Sequence, residues 1–239
     1  EVFRTLEALA PGRIDLGLGR APGTDPVASA ALRRSDVEVN AQLAELLAFE
    51  RGEFPASHPF SKIEPMPAGV SAGTIWMLGS TLAGASIAAQ IGAPYAFAGH
   101  FSMKYGVDAI RLYKDRYEPS PRHPRPLAML AVTVVCAESD AEADRLAAPL
   151  RVAMVKNRTG RRAPISSVED ALAYQFSPEE QAIVDEFFHG AIIGSPRTVA
   201  AGLDALVART GADELMVSAL LPELAVRARS LELVAEAMR

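Results

Sequence analysis

Short apolar runs of strand length alternate along this chain with helical stretches, and that alternation leaves few folds open. The strand-like runs are Ile14–Gly19, Thr74–Leu78, Tyr95–Ala98, Leu127–Ala137 and Asp213–Ala219. The fourth contains Val132-Thr133-Val134-Val135, a β-branched core that favours strand. Between them lie helical patterns over Asp36–Arg51, Leu82–Ile91, Ser102–Tyr117, Ser139–Lys156, Val168–Tyr174, Pro178–Phe188, Ser195–Thr210 and Pro222–Met238, and Ala191–Gly194 reads as a brief extended piece. Strands separated by helices imply a parallel α/β sheet with crossover connections. Five strands complete an open doubly wound sheet, whereas a (β/α)8 barrel would lack three. The chain opens with Val2, Phe3, Leu6, Leu9 and Ala10 at helical spacing and no capping residue before them. That opening reads as a helix entered in mid-run and favours a barrel without its front.

Punctuation supports the element boundaries. Ser139 with Glu142 reads as a capping box, Gly92 as a helix C-terminal residue, and Ser195-Pro196 as an N-cap followed by proline at the first helical position. The proline-rich segment from Arg51 to Ala72 has no period and reads as a long loop of the kind that serves function.

Charge and composition exclude several classes. The chain has 24 Lys and Arg against 29 Asp and Glu, a net charge of −5, which is not the footprint of a nucleic-acid binder. No apolar run approaches the ~18 residues of a membrane span. The single cysteine, Cys136, forms no internal disulfide and no multi-cysteine zinc site; within its apolar strand it reads as inert core. The four histidines show no metal-ligand spacing. A cytoplasmic protein without metal, membrane or nucleic-acid partners is the expectation.

In either architecture, ligands bind beyond the carboxyl ends of the strands, so the residues just after each strand matter most. Gly79-Ser80-Thr81-Leu82-Ala83-Gly84 joins a strand to a helix. Its small residues expose the first backbone N–H groups to an anion, and the Ser80 and Thr81 hydroxyls add donors. A well-capped helix in a tight turn accounts for the same residues. Ala85 and Ser86 stand where a nucleotide P-loop needs Lys and Ser or Thr, so that motif is excluded. Gly17-Leu18-Gly19-Arg20-Ala21-Pro22-Gly23 departs from the dinucleotide fingerprint in the place of its third glycine and in the loop that follows. Arg20 reads either as a cation reaching a phosphate or as a surface ion pair with Asp25. His100, after the third strand, is a proton donor, a ligand contact or a structural histidine. The basic run Lys156–Arg162 is a solvated loop or an anion-binding lid.

The chain resembles the luciferase-like monooxygenase family. The resemblance lies in LAPGRIDLGLGRAPGTD (Leu9–Asp25), IWMLGSTLAGASIAAQIGAPYAFAGHF (Ile75–Phe101), IIGSPRTVAAGLDAL (Ile192–Leu206) and TGADELMVSALL (Thr210–Leu221). It implies a (β/α)8 TIM-like barrel with insertions, lacking roughly the first three βα units here, with residues 1–239 as a single domain. It implies a flavin-dependent monooxygenase that uses reduced FMN and O2 on a small organic substrate, or the deazaflavin F420 in some branches. A flavin reductase or NAD(P)H would supply electrons, and members form homodimers. The family's phosphate-contacting arginine falls on Arg20 and its phosphate-binding serine on Ser80. The helix start falls on Thr81–Gly84, with Ala83 in place of a larger residue, and His100 with Phe101 forms pocket wall. Arg33 or Arg34 corresponds to a second phosphate-facing arginine. The segments Arg51–Ala72 and Asn157–Ser167 would be lids. The reactive cysteine of bacterial luciferase falls on Gly19, so light emission is not implied. The catalytic histidine belongs to the front third, so no catalytic base is named and the chain reads as a possible inactive fragment. A flavin-storing or flavin-sensing protein without turnover and a phosphate-binding barrel lyase or isomerase are the alternatives.

Overall fold

The computed structural model describes residues 1–19, 39–161 and 163–239, with only the backbone at 39. They fall into two compact units, Glu1–Gly79 and Ser80–Arg239.

In the first unit, α1 (Val2–Leu9) leads to β1 (Asp15–Gly19), and α2 (Val39–Arg51) precedes β2 (Thr74–Gly79). The two strands pair in parallel, from Asp15 opposite Thr74 to Gly19 opposite Leu78. Gly73 lets β2 begin there. Its φ of +79° is one that glycine adopts freely, and a Cβ would stand 2.2 Å from the Ile14 carbonyl oxygen. The segment between α2 and β2 is not free chain. Buried Arg4 donates to the carbonyls of Pro65 (3.0 Å) and Phe49 (3.2 Å) and pairs with the Glu50 carboxylate at 3.4 Å. Glu50 in turn accepts the Ala72 N–H. Phe49, Phe54, His58 and Phe60 stack edge and face, with Phe49–Phe54 and Phe54–His58 centroids 4.7 and 4.5 Å apart. These ties oppose the expectation of a lid over Arg51–Ala72: moving it would break the Arg4–Pro65 and Ala72–Glu50 hydrogen bonds and an aromatic cluster.

The second unit runs α3 (Leu82–Gln90), β3 (Tyr95–Phe97), α4 (Gly106–Asp115), β4 (Ala128–Cys136), α5 (Asp140–Arg158), α6 (Val168–Ala173), α7 (Pro178–Phe188), β5 (Ile192–Gly194), α8 (Pro196–Thr210), β6 (Glu214–Ser218) and α9 (Leu224–Ala237). Nine-residue β4 is its axis. Met129 and Leu130 pair with Ala96 and Phe97 of β3 and also with Glu214 and Leu215 of β6. A strand has two edges, so β3 and β6 flank β4 on opposite sides. The last three residues of β4 pair with β5. Every pairing is parallel.

The β pleat divides this sheet into two faces. Tyr95 and Phe97 pack on α4, where the Tyr113 ring lies 5.5 Å from that of Tyr95. In register with them, Ala128 and Leu130 are fully buried. The opposite face carries Ala96, Met129, Ala131, Thr133 and Met216, the last 54% exposed. At the end of β4, Val135 packs with Ala137, Ala143, Ala147 and Leu221.

Several boundaries differ from those read in the sequence. Helix α4 begins at Gly106 rather than Ser102, because Met103 turns the chain and accepts the Gly106 N–H on its carbonyl. Ser139 caps α5, but Glu142 turns to Arg145 instead of closing a box. The complete box belongs to Ser177 and Glu180 at α7. The Ser195 side chain makes no cap; the Asp140 carboxylate takes the Ser195 N–H at 2.6 Å.

Candidate functional site

The strands of the second unit are parallel, so their carboxyl ends lie on one rim, and the loop after β3 opens on it. The turn that starts α3 is built from Ser80, Thr81, Leu82 and Ala83, all solvent-exposed. Thr81 has extended backbone angles and points its Oγ1 at the Gly84 N–H, but at 3.5 Å. The caps of α5, α6 and α7 are tighter, at 3.2, 3.1 and 3.3 Å. At the edge of hydrogen-bond distance, Thr81 barely satisfies Gly84. The N–H groups of Leu82 and Ala83 have no partner within a helix. The result is a fan of backbone donors at the positive end of a helix dipole, with two hydroxyls beside it. Among the described residues, the Ser80 hydroxyl makes no hydrogen bond. From below, the turn is fixed by Tyr95, whose hydroxyl donates to the Thr81 carbonyl at 3.3 Å. Burial pushes the Tyr95 phenol well above its ordinary range, so it stays a donor.

His100 follows β3. Its ring lies 4.2 Å from that of Phe101, which is 59% exposed. Burial holds the imidazole below its usual pKa, so it is neutral near pH 7. Its Nδ1 is buried without a partner among the described residues, a group that a bound polar molecule or a water would satisfy. The loop is positioned by Met103, whose side chain fills a hollow between Gly99, Gly106 and Gly190. A Cβ at these positions would meet Met103 atoms at 2.4, 2.9 and 2.0 Å. Those three glycines are a packing requirement that sequence spacing does not reveal.

The structure therefore brings Ser80, Thr81, Ala83 and Gly84 together on one helical turn and sets His100 on the neighbouring strand's exit loop. No hydrogen bond or ring contact joins the two groups among the described residues. Arg20, Arg33 and Arg34 lie outside the described residues. In the basic run, Arg161 pairs with Glu180, which also accepts the Tyr174 hydroxyl. The Cys136 thiol is buried in the core and pushed up by burial and Glu138, so it is a poor nucleophile. Among the described residues, no group of three His, Cys, Asp or Glu side chains is placed to hold a metal, and no helix is long and apolar enough to cross a membrane. One feature is not legible in sequence: Thr133, 2% exposed, keeps a buried Oγ1 without a partner among the described residues, in the middle of β4.

Comparison with known proteins gives this geometry a context. The family model of luciferase-like monooxygenases matches residues 1–214. A curated luciferase-like monooxygenase of Escherichia coli K12 is 36% identical over 237 residues, covering 98% of this chain and 70% of its own length. Among solved structures, apo-MsnO8 superposes with a TM-score of 0.86 at 34% identity, covering 99% of this chain and 71% of that one. Two more distant structures share the fold. They are the FMN complex of the oxygenating constituent of 3,6-diketocamphane monooxygenase from Pseudomonas putida (TM-score 0.60, 17% identity, 99% and 73% coverage) and the coenzyme F420-dependent tetrahydromethanopterin reductase of Methanopyrus kandleri (TM-score 0.62, 14% identity, 98% and 76% coverage).

Proposed function

We propose that this chain, which belongs to the luciferase-like monooxygenase family, is a flavin-dependent monooxygenase that uses reduced FMN and O2 to oxidise a small organic substrate. Residues 1–239 act as one luciferase-like domain in this reading. The observation that carries it is the loosely capped, exposed first turn of α3, which offers the N–H groups of Leu82, Ala83 and Gly84 and the hydroxyls of Ser80 and Thr81 to a phosphate. Ala83 contributes by being small: a methyl group lets the phosphate approach the backbone. Arg20 is assigned to the same phosphate through the family resemblance. His100 and Phe101 form pocket wall, and the unpartnered His100 Nδ1 is the polar atom a ring system would meet there.

When bound, FMN supplies the redox chemistry. This chain's residues bind the phosphate, orient the ring system and exclude water. His100, neutral and partly desolvated, accepts or donates one hydrogen bond without adding charge to the site. A flavin reductase or NAD(P)H provides electrons, and a cytoplasmic homodimer is the working form in this reading.

Titration of the protein with FMN, followed by flavin fluorescence, tests the assignment. Saturable binding that weakens at least ~10-fold in the Ser80→Ala/Thr81→Ala double variant is expected, since hydrogen bonds to charged groups are worth about 1.5–3 kcal/mol each. Unchanged affinity in that variant rejects it. Parallel titration with F420 decides between the cofactors. Oxygen consumption that depends on a supplied flavin reductase separates an oxygenase from a storage protein.

A further inference from the structure

Helix α7 is capped like an independent element yet packs lightly. It has proline at its start and the full Ser177–Glu180 box, but only Val184 among its 11 residues is buried. Gln181, Val184, Asp185 and Phe188 stand at i, i+3, i+4 and i+7, one stripe of the helix. That stripe faces a groove of about 490 Å³, closed on its other side by Arg151 of α5 and by Phe176. The volume falls in the range of small-molecule sites.

The polar groups of the groove are of both kinds. Arg151 gives part of its guanidinium fork to the carbonyl and carboxylate of Asp144 and lies 5.7 Å from the centroid of the Phe188 ring, with its side chain 23% exposed. A guanidinium has five donors, so N–H groups remain for a ligand. Asp185 accepts the Gln181 amide at 2.8 Å on one carboxylate oxygen. Among the described residues, its second oxygen and the Gln181 amide oxygen have no partner. The lining thus sets the Asp185 carboxylate and the His189 imidazole beside a guanidinium that Asp144, outside the lining, already pairs. A simple anion would compete with Asp144 for Arg151 and face Asp185, and a simple cation would face Arg151. A molecule carrying both charges meets both halves, and the rings of Phe176 and Phe188 with Val184 offer cover for an apolar tail.

We propose that the groove between α5 and α7 binds a zwitterionic α-amino acid with an apolar side chain. Arg151 takes the carboxylate, Asp185 takes the ammonium, and Phe176 and Phe188 take the side chain. None of these residues belongs to the FMN set, so this site and the cofactor assignment stand or fall separately.

The test is calorimetric titration of the full chain with L-phenylalanine, 3-phenylpropionate (the same skeleton without the amine) and phenethylamine (without the carboxylate). Saturable binding of phenylalanine, at least ~10-fold tighter than either truncated compound, is expected. Arg151→Met should weaken phenylalanine and 3-phenylpropionate about 10-fold and leave phenethylamine unchanged. Asp185→Asn should weaken phenylalanine and phenethylamine and leave 3-phenylpropionate unchanged. Far-UV circular dichroism identical to the parent secures both variants as folded. Absence of saturable phenylalanine binding, equal binding of the truncated compounds, or equal loss of all three ligands in either variant overturns the proposal.

Discussion

At the residue scale, the side chains that matter most are polar groups out of water. Arg4 is 8% exposed at the start of the chain and holds carbonyls from two distant segments along with the Glu50 carboxylate. Removing one partner of a buried pair leaves the other charge uncompensated, at a cost of about 3–5 kcal/mol. Arg4→Met should therefore lower the urea midpoint sharply while leaving the cap and packing of residues 80–239 untouched. His100 makes a pH-dependent statement. Burial depresses its pKa below 6.5 in the folded chain, so the unfolded chain takes up the proton first as pH falls. Stability is then lost as pH drops below about 6.5, with the loss complete below the folded value. Urea midpoints at about pH 7.5 and about pH 5.5 should differ less in His100→Gln than in the parent. The difference should shrink without vanishing, because burial and Arg122 depress His123 in the same direction. Sequence pointed to Ser80, Thr81 and His100 because each follows a strand. It gave no sign of the Arg4 clamp or of unpartnered Thr133, since both depend on residues far apart in the chain.

At the scale of elements, legibility followed locality. The run Leu127–Ala137 and strands β2, β3 and β6 were read correctly from continuous apolar residues with turn residues after them. The complete capping box of α7 is local and is spelled by Ser177-Pro178-Glu179-Glu180. At α8 the Ser195 hydroxyl meets the Thr198 hydroxyl and caps no backbone N–H, while Asp140, 55 residues upstream, takes the Ser195 N–H. This gives a contrasting pair of variants. Asp140→Ala should lower the midpoint of chemical denaturation, whereas Ser195→Ala should leave it close to the parental value. The backbone and side-chain hydrogen bonds from Ser195 and Thr198 hold the Asp140 carboxyl below the usual range, so the Asp140 contribution is present above about pH 4 and fades as pH falls through the depressed value. A second element-scale prediction concerns the hollow around Met103. The Cβ in Gly190→Ala would overlap Met103 Cγ and Cβ, at 2.0 and 2.7 Å, and overpacking of this kind costs about 1–3 kcal/mol. Adding Met103→Ala removes the worse of the two overlaps, with Cγ, and leaves only the Cβ contact at 2.7 Å. The double variant should be more stable than the sum of the two single losses, a coupling that a thermodynamic cycle reads directly. If the losses simply add, Met103 does not set the position of the His100 loop.

For the whole molecule, a phosphate grip on α3 has a consequence that thermal unfolding can read. A ligand that binds only the folded chain stabilises it by about 2.7 kcal/mol at ~100-fold its Kd. For a chain of this size each kcal/mol moves the melting temperature by about 2–4 °C. FMN should therefore raise the far-UV transition by roughly 5–11 °C under those conditions. Riboflavin has the same ring system without the phosphate, so its smaller shift at equal concentration isolates what the α3 turn contributes. In Ser80→Ala/Thr81→Ala the gap between FMN and riboflavin should narrow while the riboflavin shift persists, because the ring contacts proposed for His100 and Phe101 are left in place. A gap that stays at its parental size means that the phosphate is held elsewhere, and the loosely capped turn is then only a helix start. A loss of both shifts together would place Ser80 and Thr81 against the ring and not the phosphate.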